Sequence, residues 1–166
     1  WQNTITVSQD VQFKYIRLRE IGSITKTDLQ NFRLYIDDSQ VGSAVEMDDS
    51  YYVTFDTTDS PVALESGEHT IVVKADVIDG STRSFSFSLR RASDMIITDS
   101  QYNVNVAANS NLPSNTSSIV ISAGRLTVAL ASDSPSESVI KGTKAAVLAK
   151  YTLKAYGEKV KVESLK

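Results

Sequence analysis

Apolar and polar residues alternate along most of this chain, at the spacing of two that sends successive side chains to opposite faces of a β-strand. Phe32, Leu34 and Ile36 make one such set; Tyr51, Val53 and Phe55 a second; Ile71, Val73, Ala75 and Val77 a third; Phe85, Phe87 and Leu89 a fourth; Val104 and Val106 a fifth. Turn-forming clusters separate them: Asp37-Asp38-Ser39-Gln40, Glu65-Ser66-Gly67-Glu68 and Asp79-Gly80-Ser81, where Asp-Gly is a short-hairpin signal. Several short strands so spaced predict an all-β chain folded as a β-sandwich. The stretch 25–31, with Thr25 at its start and Asp28 within it, reads as one short capped helix and does not change the class.

The pattern breaks after Ala107. Residues 108–118 are mostly Ala, Asn, Ser and Thr with Pro113, a composition with little to bury, and read as a polar linker. Alternation then resumes at 119–121 and 125–130. After a polar bend around Pro135, Val147, Ala149, Tyr151, Leu153 and Ala155 alternate against Leu148, Lys150, Thr152, Lys154 and Tyr156. The expected organisation is a body at 1–107, a linker at 108–118 and C-terminal strands at 119–166.

The last of these strands repeats the first. Thr4-Ile5-Thr6-Val7 followed by Val11, Phe13 and Ile16 matches Thr152-Leu153-Lys154-Ala155 followed by Val160, Val162 and Leu165, with a one-residue gap before Ser8 and Gly157. The C-terminal stretch thus reads as the start of a second copy of the module, its remainder expected from a further repeat or another subunit.

The segments 125–135 (RLTVALASDSP), 139–143 (VIKGT), 146–155 (AVLAKYTLKA) and 157–165 (GEKVKVESL) resemble the opening of Ig-like modules in large secreted bacterial multi-repeat surface proteins. The segments 29–35 (LQNFRLY) and 67–76 (GEHTIVVKAD), with Val41-Gly42, resemble the later part of the same module. The resemblance implies an immunoglobulin-like β-sandwich, a location outside the cell or on its surface, and a window that holds one module body and the opening strands of the next.

Composition narrows the functional classes. The 166 residues, 41% of them hydrophobic, suffice for one sizeable all-β domain with appended strands. With no cysteine there are no disulfides and no thiolate metal sites. A net charge of −3 with interspersed signs gives no basic stripe, so nucleic acid is not an expected partner. No run approaches the roughly 18 apolar residues of a membrane span. No signal-like start is present, so any secretory signal is expected to be removed or to lie outside this sequence.

Catalytic chemistry has few carriers. His69 is the single histidine, beside Glu68 at a turn, without the positioned partners a general base or zinc site needs. No Gly-x-Ser-x-Gly elbow occurs, and the chain is not expected to be an enzyme. Asp48, Asp49, Asp56 and Asp59 are the candidate ligands should calcium bind, offering hard oxygens across an expected hairpin; the ordinary reading of such residues is a solvated turn. Trp1, Tyr51, Tyr52, Tyr102 and Tyr156 are candidate stacking surfaces for surface glycans, Tyr52 and Tyr156 lying opposite their apolar neighbours as interface residues would. Asn115-Thr116-Ser117 is an N-glycosylation sequon, so Asn115 is a candidate acceptor.

The strands at 144–166 alternate without a domain to cover them, the arrangement that invites pairing with an exposed edge elsewhere. Val147, Ala149, Tyr151, Leu153, Val160, Val162 and Leu165 are therefore the expected assembly residues. The expected role is a structural subunit or repeat of an extracellular filament, joined head-to-tail by β-strand complementation to identical subunits or neighbouring repeats. An Ig-like adhesin or carbohydrate-binding module, and a spacer repeat of a surface layer or stalk, are the alternatives.

Overall fold

The twelve-residue strand β2 (Val11–Gly22) pairs along both of its edges. On one edge lie β5 (Tyr52–Asp56) and β6 (Val62–Leu64); on the other lie β8 (Ser84–Leu89) and β9 (Met95–Asp99), all antiparallel to it. The computed structural model describes residues 1–107, 111–157 and 160–164, and these divide into two compact units, Trp1–Ile121 and Ser122–Lys166. Strands β1 (Gln2–Val7), β7 (Gly67–Val77), β3 (Leu29–Ile36) and β4 (Ser39–Val45) form the second sheet of the first unit, in the order β1-β7-β3-β4. The two sheets make an all-β sandwich. Among the described residues no helix is long and apolar enough to cross a membrane.

Burial follows the alternation. Val11, Phe13, Ile16 and Leu18 of β2 meet Phe32, Leu34 and Ile36 of β3 and Ile71 and Val73 of β7 in one core. Phe32 and Phe87 touch edge to face across the two sheets, ring centroids 5.7 Å apart. The inward spacing on β2 is two, then three from Phe13 to Ile16, because the register with β9 shifts between Phe13 and Tyr15. This bulge at Lys14 returns Ile16 and Leu18 to the core face, which strict alternation would have turned to solvent.

Several turns differ from their sequence reading. Asp37 and Asp38 do close a two-residue hairpin between β3 and β4, with φ of 47° and 64°, the left-handed pair a primed turn requires. Asp79-Gly80 does not close a hairpin: it joins β7 of one sheet to β8 of the other. The stretch 25–31 is a turn running into β3. Asp28 is buried there, accepting from the Thr25 backbone N–H and hydroxyl and from Arg83. Burial alone would raise the Asp28 carboxyl, but those donors outweigh it and hold it below the usual range. A 3₁₀ turn at Ala92–Asp94 carries the chain from β8 to β9. Its buried Asp94 accepts from the Arg91 N–H and from Arg17, which also lies over the Tyr52 ring.

The linker expected at 108–118 is partly sheet. Ser114–Asn115 (β10) and Ile119–Val120 (β11) pair with β8, and Thr116 exchanges hydrogen bonds with the Phe87 backbone through its hydroxyl. The unit boundary therefore falls after Ile121, whose backbone bonds Thr82 and Arg83, and not at 107. Residues 108–110 lie outside the described residues. Val104 and Val106 run beside β9 through the bridge from Asn105 to Thr98; both remain exposed, because no sheet covers them.

Glu20 and His69 are two groups in this frame whose shifts make stability depend on pH near neutrality. Glu20 points inward from β2 with 5% of its surface exposed, and its Oε1 finds no hydrogen-bond donor. Burial, opposed only in part by Arg19, pushes its carboxyl up to about 7. A displacement of that size corresponds to roughly 3 kcal/mol. Because the folded state holds the proton more tightly, the contribution of Glu20 to stability is full below pH 4.5 and is lost as pH rises to about 7. Glu20→Gln is expected to flatten this slope, in urea unfolding compared at pH 4.5 and 8; parallel slopes in the two proteins would refute it.

His69 shares one short contact, 2.6 Å, between Nδ1 and Asp37, and its Nε2 donates to the Glu65 carbonyl at 2.7 Å. These partners, Asp37 first, raise the imidazole above its ordinary value of 6.5. The pair's contribution is complete below pH 6.5 and is lost as pH climbs through the raised folded value. An NMR titration of the ring should give a midpoint above 6.5 that Asp37→Asn moves back toward it.

Candidate functional site

The second unit is built on one hairpin. Strand β12 (Arg125–Leu130) pairs antiparallel with β13 (Tyr151–Tyr156), Arg125 opposite Tyr156 and Leu130 opposite Tyr151. Directly opposed residues share a face, so the register sorts the side chains. Leu126, Val128 and Leu130 join Ala155, Leu153 and Tyr151 on one side; Arg125, Thr127 and Ala129 join Tyr156, Lys154 and Thr152 on the other.

The apolar side is uncovered. Val128 is 60% exposed, Leu130 63% and Tyr151 62%, and no described residue of 122–164 is buried. The polar side is furnished as a solvent face: Arg125 and Lys154 lie against the Tyr156 ring, and the Thr127 hydroxyl donates to the Lys154 carbonyl. The hairpin ends are tied by Lys150, whose backbone N–H donates to Ser134 Oγ and whose Nζ pairs with Asp133 at 2.7 Å. A two-stranded hairpin without a covering layer is marginally stable in water, so this face is left with an unmet demand for burial.

The sequence-expected assembly residues separate in the structure. Tyr151 and Leu153 sit on the apolar face. Val147 and Ala149 precede β13 outside any strand, and Val160 and Val162 follow it, also exposed and outside any strand. Their alternation has no partner strand to act on. Leu165 lies outside the described residues. Leu126, Val128 and Leu130 were not among the expected residues. Their signal is the alternation of RLTVAL, which becomes a face only once its pairing with β13 is known.

The first unit holds a second feature. A cleft of about 630 Å³ opens between β1 and the other sheet, with Ile5 and Val7 on one wall and Leu89, Met95, Ile97 and Leu112 on the other. No ionisable side chain lines it among the described residues. β1 is the edge of its sheet. Trp1 and Val73 exchange both backbone bonds, so Asn3, Ile5 and Val7 also bond β7, and Gln2, Thr4 and Thr6 turn their N–H and C=O groups to the open side, where the Thr4 N–H donates to Asn3 Oδ1, a side-chain bond that an incoming strand replaces.

The remaining candidates resolve into structural roles. Asp48 and Asp56 stand at opposite ends of β5, roughly 13 to 17 Å apart for a five-residue strand, instead of facing each other across a hairpin. Asp48 accepts from the Ser50 and Tyr52 N–H groups, Asp49 pairs with Lys26, and Asp56 accepts from Thr58 N–H; Asp59 is exposed. Among the described residues no three His, Asp or Glu side chains are placed to hold a metal ion, so the calcium set does not assemble. Both ring nitrogens of His69 are engaged. Tyr52 is half-buried over Arg17 and Arg19, Trp1 packs against the core, Tyr51 occupies a left-handed turn, and Tyr102 is 70% exposed. Asn115 is exposed on β10.

Comparison with family models, with curated proteins and with solved structures finds no match to this chain. The site is therefore read from its own chemistry: an amphipathic hairpin offering backbone edges and an apolar face. With no core beneath it, β12 and β13 amides are expected to exchange with solvent orders of magnitude faster than those of β2 and β7 at low protein concentration. Hydrogen-exchange mass spectrometry checks this; equal protection in the hairpin and in β2 would show that the hairpin is already covered.

Proposed function

We propose that this chain is a structural subunit or repeat of an extracellular surface filament, in which Ig-like β-sandwich modules join head-to-tail by β-strand complementation. One observation carries the reading: six apolar side chains gather on one open face of the β12–β13 hairpin, in a unit with no buried described residue. The cell-surface address and the Ig-like module type rest on the sequence resemblance to repeats of secreted bacterial surface proteins.

The energetics favour concentration-dependent assembly. Covering Leu126, Val128, Leu130 and Leu153 contributes roughly 6 to 12 kcal/mol at full burial. Lost translational and rotational freedom costs about 4 to 15 kcal/mol. Apolar contact is close to balance with that cost, so association depends on concentration, and backbone pairing along a strand sets its register. A donor in one unit and an acceptor in the other make the contact heterologous, which propagates as a fibre unless the rotation closes a ring.

Electron microscopy and light scattering at rising concentration test the reading. The full chain is expected to form regular fibres. Val128→Asp or Leu153→Asp would bring an unpaired carboxylate into the contact and weaken association by about 100-fold or more. Removing residues 123–166 should leave a soluble monomer. A chain that stays monomeric at every concentration, or fibres indifferent to these changes, would overturn the proposal.

A further inference from the structure

We infer that the acceptor for this assembly is the free edge of β1 with the apolar cleft beside it, and that its occupant is β12 of a second copy, in a defined register. The inference rests on the assembly reading above and specifies its acceptor. It follows from the internal repeat. Thr4, Ile5, Thr6 and Val7 of β1 correspond to Thr152, Leu153, Lys154 and Ala155 of β13, and each strand leads into a Val-x-apolar run, at Val11 and at Val160. What pairs with β13 in this chain is therefore the template for what fits on β1.

Backbone and side-chain geometry agree on that template independently. Ala131 N–H bonds the Lys150 carbonyl, so the hydrogen-bonded positions of β13 toward β12 are Thr152, Lys154 and Tyr156. Thr152 and Lys154 correspond to Thr4 and Thr6, the residues of β1 whose backbone groups face the open side. Transferring the register puts Ala129 opposite Thr4, Thr127 opposite Thr6, Val128 opposite Ile5 and Leu126 opposite Val7. Leu126, Val128 and Leu130 then fall on the face of Ile5 and Val7, over the cleft walled by Leu89, Met95, Ile97 and Leu112. Arg125 and Thr127 stay outside. A one-residue slip would place the three apolar side chains in solvent.

The edge is suited to this exchange. Edge strands are commonly guarded by charge or proline, and Gln2–Val7 has neither. The opposite edge, β4, is less fit: Gly42 sits in the left-handed region at φ 66°, and the β3–β4 register shifts between Phe32 and Leu34. Strand β12 leaves β13 and recovers equivalent backbone bonds on β1 of the second copy. In moving, its apolar side chains pass from one uncovered hairpin face to a cleft with two walls.

Because the chain has no cysteine, disulfide trapping tests the register directly. Full-length chains carrying Thr6→Cys are mixed with chains carrying Thr127→Cys, and in a second experiment Thr4→Cys with Ala129→Cys, then oxidised and run without reductant. In this register all four side chains share the face opposite to that of Ile5, Val7, Leu126 and Val128, Thr4 and Thr6 standing at the rim of the cleft. Opposed positions of this kind have Cα atoms about 5.5 Å apart, within disulfide range, whereas a two-residue slip lies beyond it. Expected are mixed dimers from both matched pairs, in large excess over Thr6→Cys with Ala129→Cys, and their loss when Val128→Asp is added to the β12 partner. Two outcomes overturn the inference: failure of both matched pairs, or dimers of like variants only. If the matched pairs fail while the unaltered chain still forms fibres, the acceptor is wrong and the assembly reading stands. If the unaltered chain forms none, the assembly reading fails with it.

Discussion

The body depends on β2 being paired along both edges over most of its length. A twelve-residue strand with partners on both sides cannot slip without breaking four ladders at once, so it fixes where β5, β6, β8 and β9 lie. Its inward residues then decide the thickness and content of the core. The bulge at Lys14 lets one strand serve β9 and β8 in succession while keeping Phe13 and Ile16 on the same face. Glu20 is the cost of that design: the same alternation that buries Leu18 carries a carboxyl into the apolar layer, where nothing donates to its Oε1.

The remaining strands are arranged by what β2 leaves open. With both edges occupied, β1 cannot pair with its sequence neighbour and crosses to the other sheet, beside β7. The buried ion pairs hold such crossings. Asp28 ties the entry to β3 to Arg83 in the β7–β8 crossing, and Asp94 ties the β8–β9 junction to Arg17. Each carboxylate is buried and accepts a backbone N–H as well as its arginine, which is what makes a buried pair tolerable. Placing β1 at an edge has the consequence that its sequence is apolar on one side and bonded on one side, yet open on the third.

Most of this body is legible in the residues, because burial on one face imposes a period of two. Phe32, Leu34 and Ile36, or Phe87 and Leu89, are read correctly for that reason. Pairing partners are not legible. Asp79-Gly80 has hairpin chemistry but joins two sheets, since turn residues report local φ and not which strand comes next. Ser114–Asn115 pairs with β8 through the backbone while burying little, so it leaves no alternation and reads as linker. Val147 and Ala149 show the reverse: alternation without a strand. The same limit governs the site. Tyr151 and Leu153 are identifiable from β13 alone, whereas Leu126, Val128 and Leu130 become one face with them only through the register. The aspartates were grouped by nearness in sequence, and a five-residue strand is enough to separate them.

The comparison of β1 with β13 shows what that register implies. Both are short strands with alternating apolar side chains, and both lead into a Val-x-apolar run. Ile5 and Val7 are half-buried because β7 supplies the backbone and the opposing sheet supplies a wall. Leu153 has the backbone partner without the wall and stays 41% exposed. The difference between a core residue and an exposed apolar one here is therefore the third surface and not the strand itself. Charge follows the same division: Arg125 and Lys154 occupy only the polar face of the hairpin, leaving the apolar face without the gatekeepers that protect solvent-facing strands. A face kept free of charge on a strand pair that cannot bury it alone is the feature on which the proposed assembly rests.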